Sequence, residues 1–444
     1  MRMLIAVWVT KILIFAGKIA GKKGSSTPGI FAMKIFPDIL KVLAKQVKNE
    51  IIVVCGTNGK TTTNNLLNTL IKSADKKVVC NNVGANMLPG VVTSFVEKTN
   101  FWGKLDADYA CIEIDEISTV KVFPYFEPDY MILTNLFRDQ LDRYGDIETT
   151  MKYMQKALDM CKNTKLILNG DDPLVTSFGK NTGKKYYYFG VGEDVGIALN
   201  ETKEGRVCMF CGEELNYDFY HYSQLGMYKC NKCGFERPQV DFEAKNVNLN
   251  NGISFSVNNQ EFNVKYRGFY NIYNILAVFG AVEVLGKDAK TLKATLGDYK
   301  PQIGRMQEFD LGKPFVLNLA KNPAGFNQAI QTVAEDKRKK DVIIAVNDMP
   351  SDGTDVSWLW DVDFERIADE TLNSLSVLGS RRYDLGLRFK YADVKCDVIS
   401  DDMKSVISNA RLSDSEVCYV LVNYTMLFST ESILKEEEGK KRNA

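Results

Sequence analysis

Short apolar runs alternate with longer amphipathic stretches along most of the chain. Runs such as 51–55 and 130–133 are too short for a buried helix and are typical of buried strands. Stretches such as 149–162, which repeat apolar residues at helical spacing, lie between them. This alternation predicts mostly parallel sheets with helices on both faces, and therefore an α/β protein. The other predicted strands are 78–80, 109–114, 165–168, 315–319, 342–346, 374–378, 395–399 and 417–422.

The predicted elements divide the chain into three parts. Residues 1–48 are predicted to form an N-terminal helical segment, and 49–307 a central domain around the first parallel sheet. Within it, the alternating pattern between 241 and 264 predicts a β-hairpin region that returns to the sheet. Residues 308–444 are predicted to form a Rossmann-like C-terminal domain. A chain of 444 residues is long enough for these domains to bury separate cores.

The first 24 residues have a basic start and an apolar run, as a signal peptide does. Lysines interrupt the apolar stretches, none of which approaches the roughly 18 residues of a membrane-spanning helix. We predict an amphipathic helix that packs on the protein. The alternative is a helix that rests on an anionic membrane face, with its lysines toward the head groups. The apolar stripe of this helix comprises Leu4, Trp8, Ile12 and Phe15.

Charge and cysteine content narrow the class of protein. Lys and Arg together number 56, as do Asp and Glu, so the net charge gives no reason to expect a nucleic-acid partner. Ten cysteines, four in one cluster and the rest scattered in apolar runs, suit a reducing compartment better than a disulfide framework. We therefore expect a cytoplasmic protein.

The most informative motif follows the strand at 51–55 and opens a helix at 61–71. It predicts a phosphate loop, in which glycines let the backbone approach an anion at a helix N-terminus. Lys60 would reach the outer phosphates, and the Thr61 hydroxyl would hold a magnesium ion. Only two residues separate the glycines instead of the usual four, and the alternative is an ordinary glycine turn. The predicted loop residues are Gly56, Thr57, Asn58, Gly59, Lys60, Thr61 and Thr62.

Three carboxylates lie at or just past the end of the strand at 109–114, namely Glu113, Asp115 and Glu116. A carboxylate at a strand end beside a phosphate loop commonly anchors nucleotide-bound magnesium. We assign that role to Glu113. The alternative for each of these acids is that it caps a helix or faces solvent.

Two Cys-x-x-Cys pairs, eighteen residues apart, predict a tetrahedral zinc site. Four thiolates leave no open position on the metal, so the site would be structural, in a zinc ribbon inserted at about 205–238. The alternative is a pair of disulfides or free thiols. His221, the only histidine in the chain, lies between the pairs and is predicted to be a surface or packing residue. The ligands are Cys208, Cys211, Cys230 and Cys233.

Several of these motifs occur in the order found in the Mur ligase family, which the chain resembles. The matching segments are 56–62, the strand end at Glu113, 135–145 and 168–173. The resemblance implies an ATP-dependent ligase in which Glu113 is a magnesium ligand. Gln140 stands where the family usually has a magnesium-binding histidine, and its carbonyl oxygen would replace that ligand.

Two later segments extend the resemblance to the nucleotide site. Asn271 and Asn274 lie three residues apart on a predicted helix, as in a helix that Mur ligases carry at the nucleotide base. The alternative is that they cap the helix. Arg305 belongs to a Gly-Arg segment like that at the entry to the last family domain, where it would meet the nucleotide phosphates or ribose.

Segments 319–325 and 347–364 of the last domain resemble the branch of the family that works with a separate GatD-type glutaminase. In that branch the glutaminase supplies ammonia from glutamine, and an aspartate of the ligase subunit completes its Cys-His pair. The matching residue here is Asp355. A catalytic histidine needs such a carboxylate to fix its tautomer and steady its charge. The alternative is that Asp355 is a loop or N-cap acid before Trp358. The competitors for its role are Asp352, Asp361 and Asp363.

The resemblance implies ATP-dependent amidation of the α-carboxylate of D-glutamate in the lipid II stem peptide, through an acyl phosphate. The implied cofactors are ATP, Mg²⁺ and Zn²⁺, and the implied partners are the glutaminase, in a heterodimer, and lipid II at the inner membrane face. One alternative is a stand-alone ligase that adds an amino acid and needs no glutaminase. Another is a nucleotide-regulated zinc-ribbon protein that binds nucleic acid, against which the acidic stretch after Gly212 argues.

Overall fold

The alternation of strands and helices is present throughout the computed structural model, which describes residues 1–19, 26–81, 85–139, 146–196, 205–250, 252–265, 268–287, 289–298 and 303–442. Its strands are β1 (Ile51–Cys55), β2 (Val78–Cys80), β3 (Tyr109–Glu113), β4 (Tyr130–Leu133), β5 (Lys165–Asn169), β6 (Tyr186–Val191), β7 (Asn216–Tyr222), β8 (Leu225–Lys229), β9 (Phe242–Asn248), β10 (Ile253–Val257), β11 (Gln260–Val264), β12 (Gln307–Asp310), β13 (Pro314–Leu319), β14 (Lys340–Ala345), β15 (Leu372–Leu378), β16 (Val398–Ile399) and β17 (Val417–Val422).

The α-helices of the same ranges are α1 (Arg2–Ile19), α2 (Thr27–Ile35), α3 (Ile39–Ala44), α4 (Lys60–Ser73), α5 (Leu88–Glu97), α6 (Thr119–Val122), α7 (Ile147–Asp159), α8 (Pro173–Asn181), α9 (Tyr270–Val284), α10 (Ala289–Asp298), α11 (Pro323–Glu335), α12 (Arg382–Tyr391), α13 (Met403–Leu412) and α14 (Tyr424–Arg442). Short 3₁₀ segments also occur, at Glu116–Ser118, Ser357–Asp361 and Phe364–Ile367.

The larger sheet has the strand order β11-β10-β9-β6-β5-β4-β1-β3-β2. All neighbours from β2 to β9 run parallel, and β10 pairs antiparallel with β9 and β11. The predicted mostly parallel sheet and the hairpin that returns to it are therefore confirmed. In a parallel arrangement the carboxyl ends of β1, β3 and β4 meet at one edge, which places the phosphate loop beside the predicted carboxylates.

Side chains of β1 alternate between two cores, because successive residues of a strand point to opposite faces of the sheet. Ile52 and Val54 pack with residues of α4 and α9. Ile51, Val53 and Cys55 pack with residues of α2, α3, α5, α7 and α8. Helices therefore cover both faces of the sheet, as the alternation predicted.

The helix α1 packs on α2 through small residues, so the prediction that it packs through its apolar stripe is wrong. Ala6, Val7 and Thr10 are buried in the contact. Trp8 and Ile12 of the predicted stripe are instead 44% and 64% exposed. Apolar residues occur all round this helix, and small side chains allow two helix axes the closest approach. Within the described ranges, no helix is long and apolar enough to cross a bilayer.

The strands β7 and β8 form a separate two-stranded sheet between β6 and β9 in the chain. Its small core contains Leu215, Tyr228 and Phe235 together with two of the clustered cysteines. This unit occupies the region of the predicted zinc ribbon.

The second large sheet has the order β12-β13-β17-β14-β15-β16, in which only β12 pairs antiparallel. The helices α11 and α12 pack on one face, and α13 and α14 on the other. This is the predicted Rossmann-like domain. The strand predicted at 395–399 is shorter than expected, because only Val398 and Ile399 pair with β15.

Candidate active site

The predicted phosphate loop joins β1 to α4. Neighbouring atoms leave no room for a side chain at either of its two glycines. Gly56 and Gly59 have φ angles of +120° and +85°. A Cβ atom on Gly56 would lie 2.3 Å from the Thr134 hydroxyl oxygen, and one on Gly59 would lie 2.2 Å from Oδ1 of Asn274. Any other residue would be strained and obstructed at these positions. The shortened loop therefore depends on glycine at both.

Hydrogen bonds hold the loop to the segment that follows β4. The Thr57 amide donates to the Asn135 carbonyl at 2.8 Å, and the Thr57 hydroxyl donates to the Phe137 carbonyl at 3.1 Å. The Asn58 amide donates to Oδ1 of Asn135 at 2.8 Å. Thr57 and Asn58 therefore shape the loop, and their contact with a nucleotide stays a prediction.

Lys60 begins α4 and forms a buried ion pair with Glu116. Its Nζ lies 2.9 Å from Oε1 of Glu116 and donates to the Thr57 carbonyl at 3.3 Å. Burial alone would lower the pKa of Lys60, but three nearby carboxylates, Glu116 foremost, outweigh burial and raise it. Burial would raise the pKa of Glu116, but Lys60 holds it below its usual range. Lys60 is therefore a stable cation at the phosphate loop.

The adjacent carboxyl groups of Asp115 and Glu116 differ in their protonation. Burial, and then the negative charge of Glu116, raise the pKa of Asp115 to about 7. Two like charges in a buried site disfavour each other, so the negative charge resides on the carboxylate that faces Lys60. Glu116 is thus the carboxylate that forms the ion pair with Lys60.

Thr61 and Glu113 meet beside this ion pair. The Thr61 hydroxyl donates to Oε2 of Glu113 at 2.8 Å, and the Asn86 side chain donates to Oε1 at 3.1 Å. The side chain of Asn81 holds the backbone of Glu113 at both its amide and its carbonyl, at 2.9 and 2.8 Å. A hydroxyl and a carboxylate are hard oxygen donors of the kind that Mg²⁺ prefers. This pair therefore fits the predicted magnesium site.

Asn274 lies against the phosphate loop from α9. It is buried, and its Oδ1 accepts from the Thr63 hydroxyl at 3.4 Å. Its Nδ2 donates to Oδ1 of Asn271 at 3.2 Å. These contacts place Asn274 next to Gly59, where it supports the loop. Binding of the nucleotide by Asn271 and Asn274 stays a prediction.

Arg305 lies in a tight turn before β12. The flanking residues Gly304 and Met306 have φ angles of +71° and +52°. The positive φ of Gly304 favours glycine at this position. Burial raises the pKa of Tyr270 at the start of α9, and the charge of Arg305 acts against that rise. Arg305 thus lies near the asparagine helix, and its contact with a nucleotide stays a prediction.

Polar pairs join the central and C-terminal domains next to the phosphate loop. Two are ion pairs, and the third is a reciprocal pair of side-chain amides. They connect the loop and the segment after β4 with residues around α11 and the following 3₁₀ segment. The pairs are Arg138 with Asp361, Asp139 with Lys321, and Asn58 with Asn322. Gln140, the predicted magnesium ligand next to Asp139, lies outside the described residues.

Asp355 is partly exposed in the C-terminal domain, near the 3₁₀ segment Ser357–Asp361. Its Oδ1 accepts from the Ser357 amide at 2.8 Å, and this is its single hydrogen bond among the residues that the structure describes. Its competitors are more constrained. Asp352 is buried and accepts from the Thr425 amide at 2.9 Å, Asp361 pairs with an arginine, and burial raises the pKa of Asp363.

The four clustered cysteines converge as a metal site requires. Their sulfur atoms lie within 4.8 Å of one another, and the closest distances, Cys208 to Cys233 and Cys211 to Cys230, are 3.5 Å. A zinc ion with four sulfur ligands at about 2.3 Å sets these separations at about 3.8 Å. None of the ten cysteines forms a disulfide, which removes the disulfide alternative. The residues therefore fit a tetrahedral site.

The two knuckles have the same backbone geometry. The Gly212 amide donates to the Cys208 carbonyl at 2.9 Å, and the Gly234 amide donates to the Cys230 carbonyl at 3.0 Å. Both glycines have φ near +75°, which turns the chain sharply after each second cysteine. The two cysteine pairs therefore share one turn geometry.

We predict that the four cysteines hold one zinc ion and that its removal unfolds the ribbon locally. Free energy of metal binding contributes directly to the folding of a small zinc unit. We expect one zinc per chain by elemental analysis, and strong chelation or Cys230→Ser should open 205–238 to limited proteolysis. Cys396→Ser, at a half-buried cysteine outside the cluster, should leave zinc content and cleavage unchanged. Full protection after verified zinc loss would contradict the structural role.

His221 is fully buried, so the surface alternative for it is wrong and the packing alternative holds. Its Nδ1 lies 2.6 Å from the Tyr273 hydroxyl, and its Nε2 lies 3.0 Å from the Glu193 carbonyl. The Tyr273 hydroxyl donates to Asp171 at 2.8 Å, and Nε of Arg237 donates to the same carboxylate at 2.7 Å. This network joins the strand β7 and the end of the ribbon to α9.

The sequence pattern does not identify the side chains that hold Glu113. Asn81 directly follows the strand at 78–80, and a search for polar residues at every strand end would have found it. No sequence signal marks Asn86, which reaches the site from the start of α5. Glu116 is one of the three noted carboxylates, but the sequence does not show that it pairs with Lys60.

Comparison with known proteins finds matches over nearly the whole chain. Residues 54–282 match the Mur ligase middle domain, and 319–427 match the MurT ligase C-terminal domain. The MurT subunit of lipid II isoglutaminyl synthase (glutamine-hydrolyzing) from Staphylococcus aureus (strain COL) is 36% identical over 400 residues, or 90% of each chain.

Solved structures share the fold. A pseudomurein peptide ligase type C from Methanothermus fervidus aligns with a TM-score of 0.67 and 23% identity, over 89% of this chain and 80% of that one. The MurF ligase from Thermotoga maritima, solved in complex with ADP, aligns with a TM-score of 0.62 and 16% identity, over 92% and 85%.

Proposed function

The chain belongs to the Mur ligase family, as a MurT-type subunit of lipid II isoglutaminyl synthase, and from this premise we propose its reaction. The chain is the synthetase subunit. It uses ATP to convert the α-carboxylate of D-glutamate in the lipid II stem peptide to the amide of D-isoglutamine. The observation that carries this proposal is the convergence of Lys60, Thr61 and Glu113 at the first turn of α4.

The reaction has two steps. A carboxylate oxygen of the stem peptide attacks the γ-phosphorus of ATP, ADP leaves, and an acyl phosphate forms. Ammonia then attacks the acyl carbon, and phosphate leaves with the former carboxylate oxygen while the nitrogen loses a proton. Catalysis of the first step rests on positioning and on stabilising the charge of the transferring group.

Lys60 supplies a fixed positive charge for that step. Its ammonium pairs with Glu116. A phosphate at the loop offers stronger charge-assisted hydrogen bonds, so the ammonium would move from the carboxylate to the phosphate oxygens. Because the pKa of Lys60 is raised, its side chain stays protonated at any pH near neutrality.

Thr61 and Glu113 would hold the magnesium ion. When bound, the ion neutralises charge on the β- and γ-phosphate oxygens. Asn86 and Asn81 orient the Glu113 carboxylate toward Thr61. We propose Gln140 as a further ligand.

The variant Glu113→Gln is expected to raise the Mg²⁺ concentration needed for half-maximal amidation by at least about tenfold, because a neutral amide binds Mg²⁺ less well than a carboxylate. The measurement is the amidation rate as a function of Mg²⁺, and excess Mg²⁺ should restore part of the rate. Glu370→Gln, at an exposed glutamate, is the matched control. An unchanged Mg²⁺ requirement in Glu113→Gln would remove Glu113 from the site.

We propose that a GatD-type glutaminase delivers the ammonia and that Asp355 completes its Cys-His pair. The only histidine of this chain is buried in the central domain, so the chain has none to pair with a cysteine nucleophile in the C-terminal domain. Asp355 supports the proposal because it is the least constrained of the four candidate aspartates. Since lipid II is a membrane lipid, we place the enzyme at the cytoplasmic face.

Mass spectrometry of lipid II tests the proposal. Purified protein, ATP and Mg²⁺ are incubated with ammonium, with glutamine, or with glutamine and the glutaminase. Amidation replaces a hydroxyl by an amino group and lowers the mass by about one dalton. We expect this change with ammonium and with glutamine plus glutaminase, but not with glutamine alone. Addition of an amino acid, with no amidation, would instead favour a stand-alone ligase.

A further inference from the structure

Large apolar side chains are exposed on the outer face of α1. They follow one another at intervals of three and four residues, which places them on one face of the helix. Their exposed fractions range from 43% to 73%. We call this set the outer stripe, and its members are Ile5, Trp8, Ile12, Phe15 and Ile19.

The loop after α5 extends the outer stripe. Phe101 and Trp102 at its tip are 71% and 78% exposed. Nε1 of Trp8 donates to the Phe101 carbonyl at 2.8 Å, and Nζ of Lys11 lies 5.9 Å from the centre of the Phe101 ring. The apolar surface is therefore continuous from α1 to the loop. A continuous exposed apolar surface of this kind usually marks an interaction site.

Basic residues outnumber acidic residues in the sequence that forms this surface. The first 37 residues contain six Lys and Arg residues and no Asp or Glu, whereas the whole chain is balanced. Glu97 is the acid at the edge of the surface, and Lys18 pairs with it at 2.9 Å. Lys11 donates to the Glu97 carbonyl at 3.2 Å. The apolar surface thus has a basic rim.

We propose that the outer stripe and the loop tip bind the surface of an anionic lipid bilayer, with α1 lying along the interface. Trp and Phe favour the interfacial region, and basic side chains around an apolar face attract anionic head groups. A second copy of the chain is a poorer occupant, because two identical basic rims repel each other. The binding is separate from the amidation reaction and needs no lipid II.

Co-sedimentation with vesicles that lack lipid II tests this proposal. We expect the full-length protein to bind phosphatidylcholine vesicles that contain phosphatidylglycerol, and to bind much less to phosphatidylcholine alone or at high salt. The variant Trp8→Ser/Ile12→Ser/Phe15→Ser should lower the partition coefficient at least about tenfold. Melting temperatures verify that each variant is folded.

The matched control removes large side chains that are at least as exposed from the C-terminal domain, in the variant Tyr383→Ser/Tyr391→Ser/Leu412→Ser. We expect it to bind vesicles like the unmodified chain. The proposal would be overturned if the outer-stripe variant bound vesicles as well as the unmodified chain does. It would also be overturned if only the control variant lost binding.

Fluorescence quenching locates the contact independently. In the variant Trp358→Phe/Trp360→Phe the remaining tryptophans are Trp8 and Trp102. Lipids brominated on the acyl chains should quench their emission in anionic vesicles. No quenching and no sedimentation would refute membrane binding. If the outer-stripe variant instead converted a dimer to a monomer, a second copy would be the occupant and the membrane proposal would fall.

Discussion

Replacing Lys60 by alanine is expected to lower the amidation of lipid II by at least about 10³-fold, with ammonium and with the glutaminase alike. The loss has the same size in both assays because Lys60 acts on phosphoryl transfer, which precedes the use of ammonia. Its ammonium is buried at the phosphate loop, and no other lysine or arginine within the described residues forms an ion pair with Glu116. The measurement is the initial rate of the one-dalton mass change.

The lower activity of Lys60→Ala must be distinguished from an effect of unfolding. Lys60→Ala leaves Glu116 buried without its cation, and breaking a buried ion pair costs about 3–5 kcal/mol. The double variant Lys60→Ala/Glu116→Gln removes both charges, so we expect it to recover most of the stability and none of the activity. Recovery of activity in the double variant, or normal turnover in Lys60→Ala, would reject the assignment of Lys60.

The variant Asp355→Asn is expected to lower glutamine-dependent amidation by about 10²–10⁴-fold while leaving ammonium-dependent amidation within about twofold of normal. The asparagine preserves size but removes the negative charge that would orient and stabilise the partner's histidine. Because Asp355 is partly exposed and its carboxylate accepts a single hydrogen bond, from the Ser357 amide, the fold should tolerate the change. Both rates come from the same mass-spectrometric assay.

The competing aspartates provide the controls for this prediction. Asp361 pairs with Arg138 across the two domains, and buried Asp352 accepts hydrogen bonds from Thr425. Their asparagine variants should therefore lower the ammonium-dependent and the glutamine-dependent rates together, because they disturb the domain contact or the fold. A selective loss of the glutamine-dependent rate in one of them, with none in Asp355→Asn, would transfer the role to that residue.

Local signals in the sequence predict much of the central domain. The strand β1, the phosphate loop and α4 follow from an apolar run, two glycines and a helical repeat, all within about twenty residues. The alternating strands and helices also predict both parallel sheets. These features depend on neighbouring residues, so a sequence pattern is enough to find them.

Features that depend on distant residues are not predictable in this way. The pairing of Arg138 with Asp361 joins positions 223 apart, and it depends on how two domains meet. The hydrophobic pattern also does not predict which face of α1 packs on the protein, because the helix is apolar on several faces. Packing on α2 selects the face of Ala6 and Thr10, whose small side chains permit close approach, and leaves the larger residues outside.

The most direct test of the proposed reaction follows the oxygen atoms of the substrate. Lipid II labelled with ¹⁸O in the α-carboxylate of D-glutamate is amidated by the chain with ATP, Mg²⁺ and ammonium. An acyl phosphate transfers one carboxylate oxygen to phosphate, so we predict inorganic phosphate that carries one ¹⁸O for each amide formed. Amidation that releases unlabelled phosphate would contradict phosphorylation of the carboxylate, and with it the role proposed for the phosphate loop.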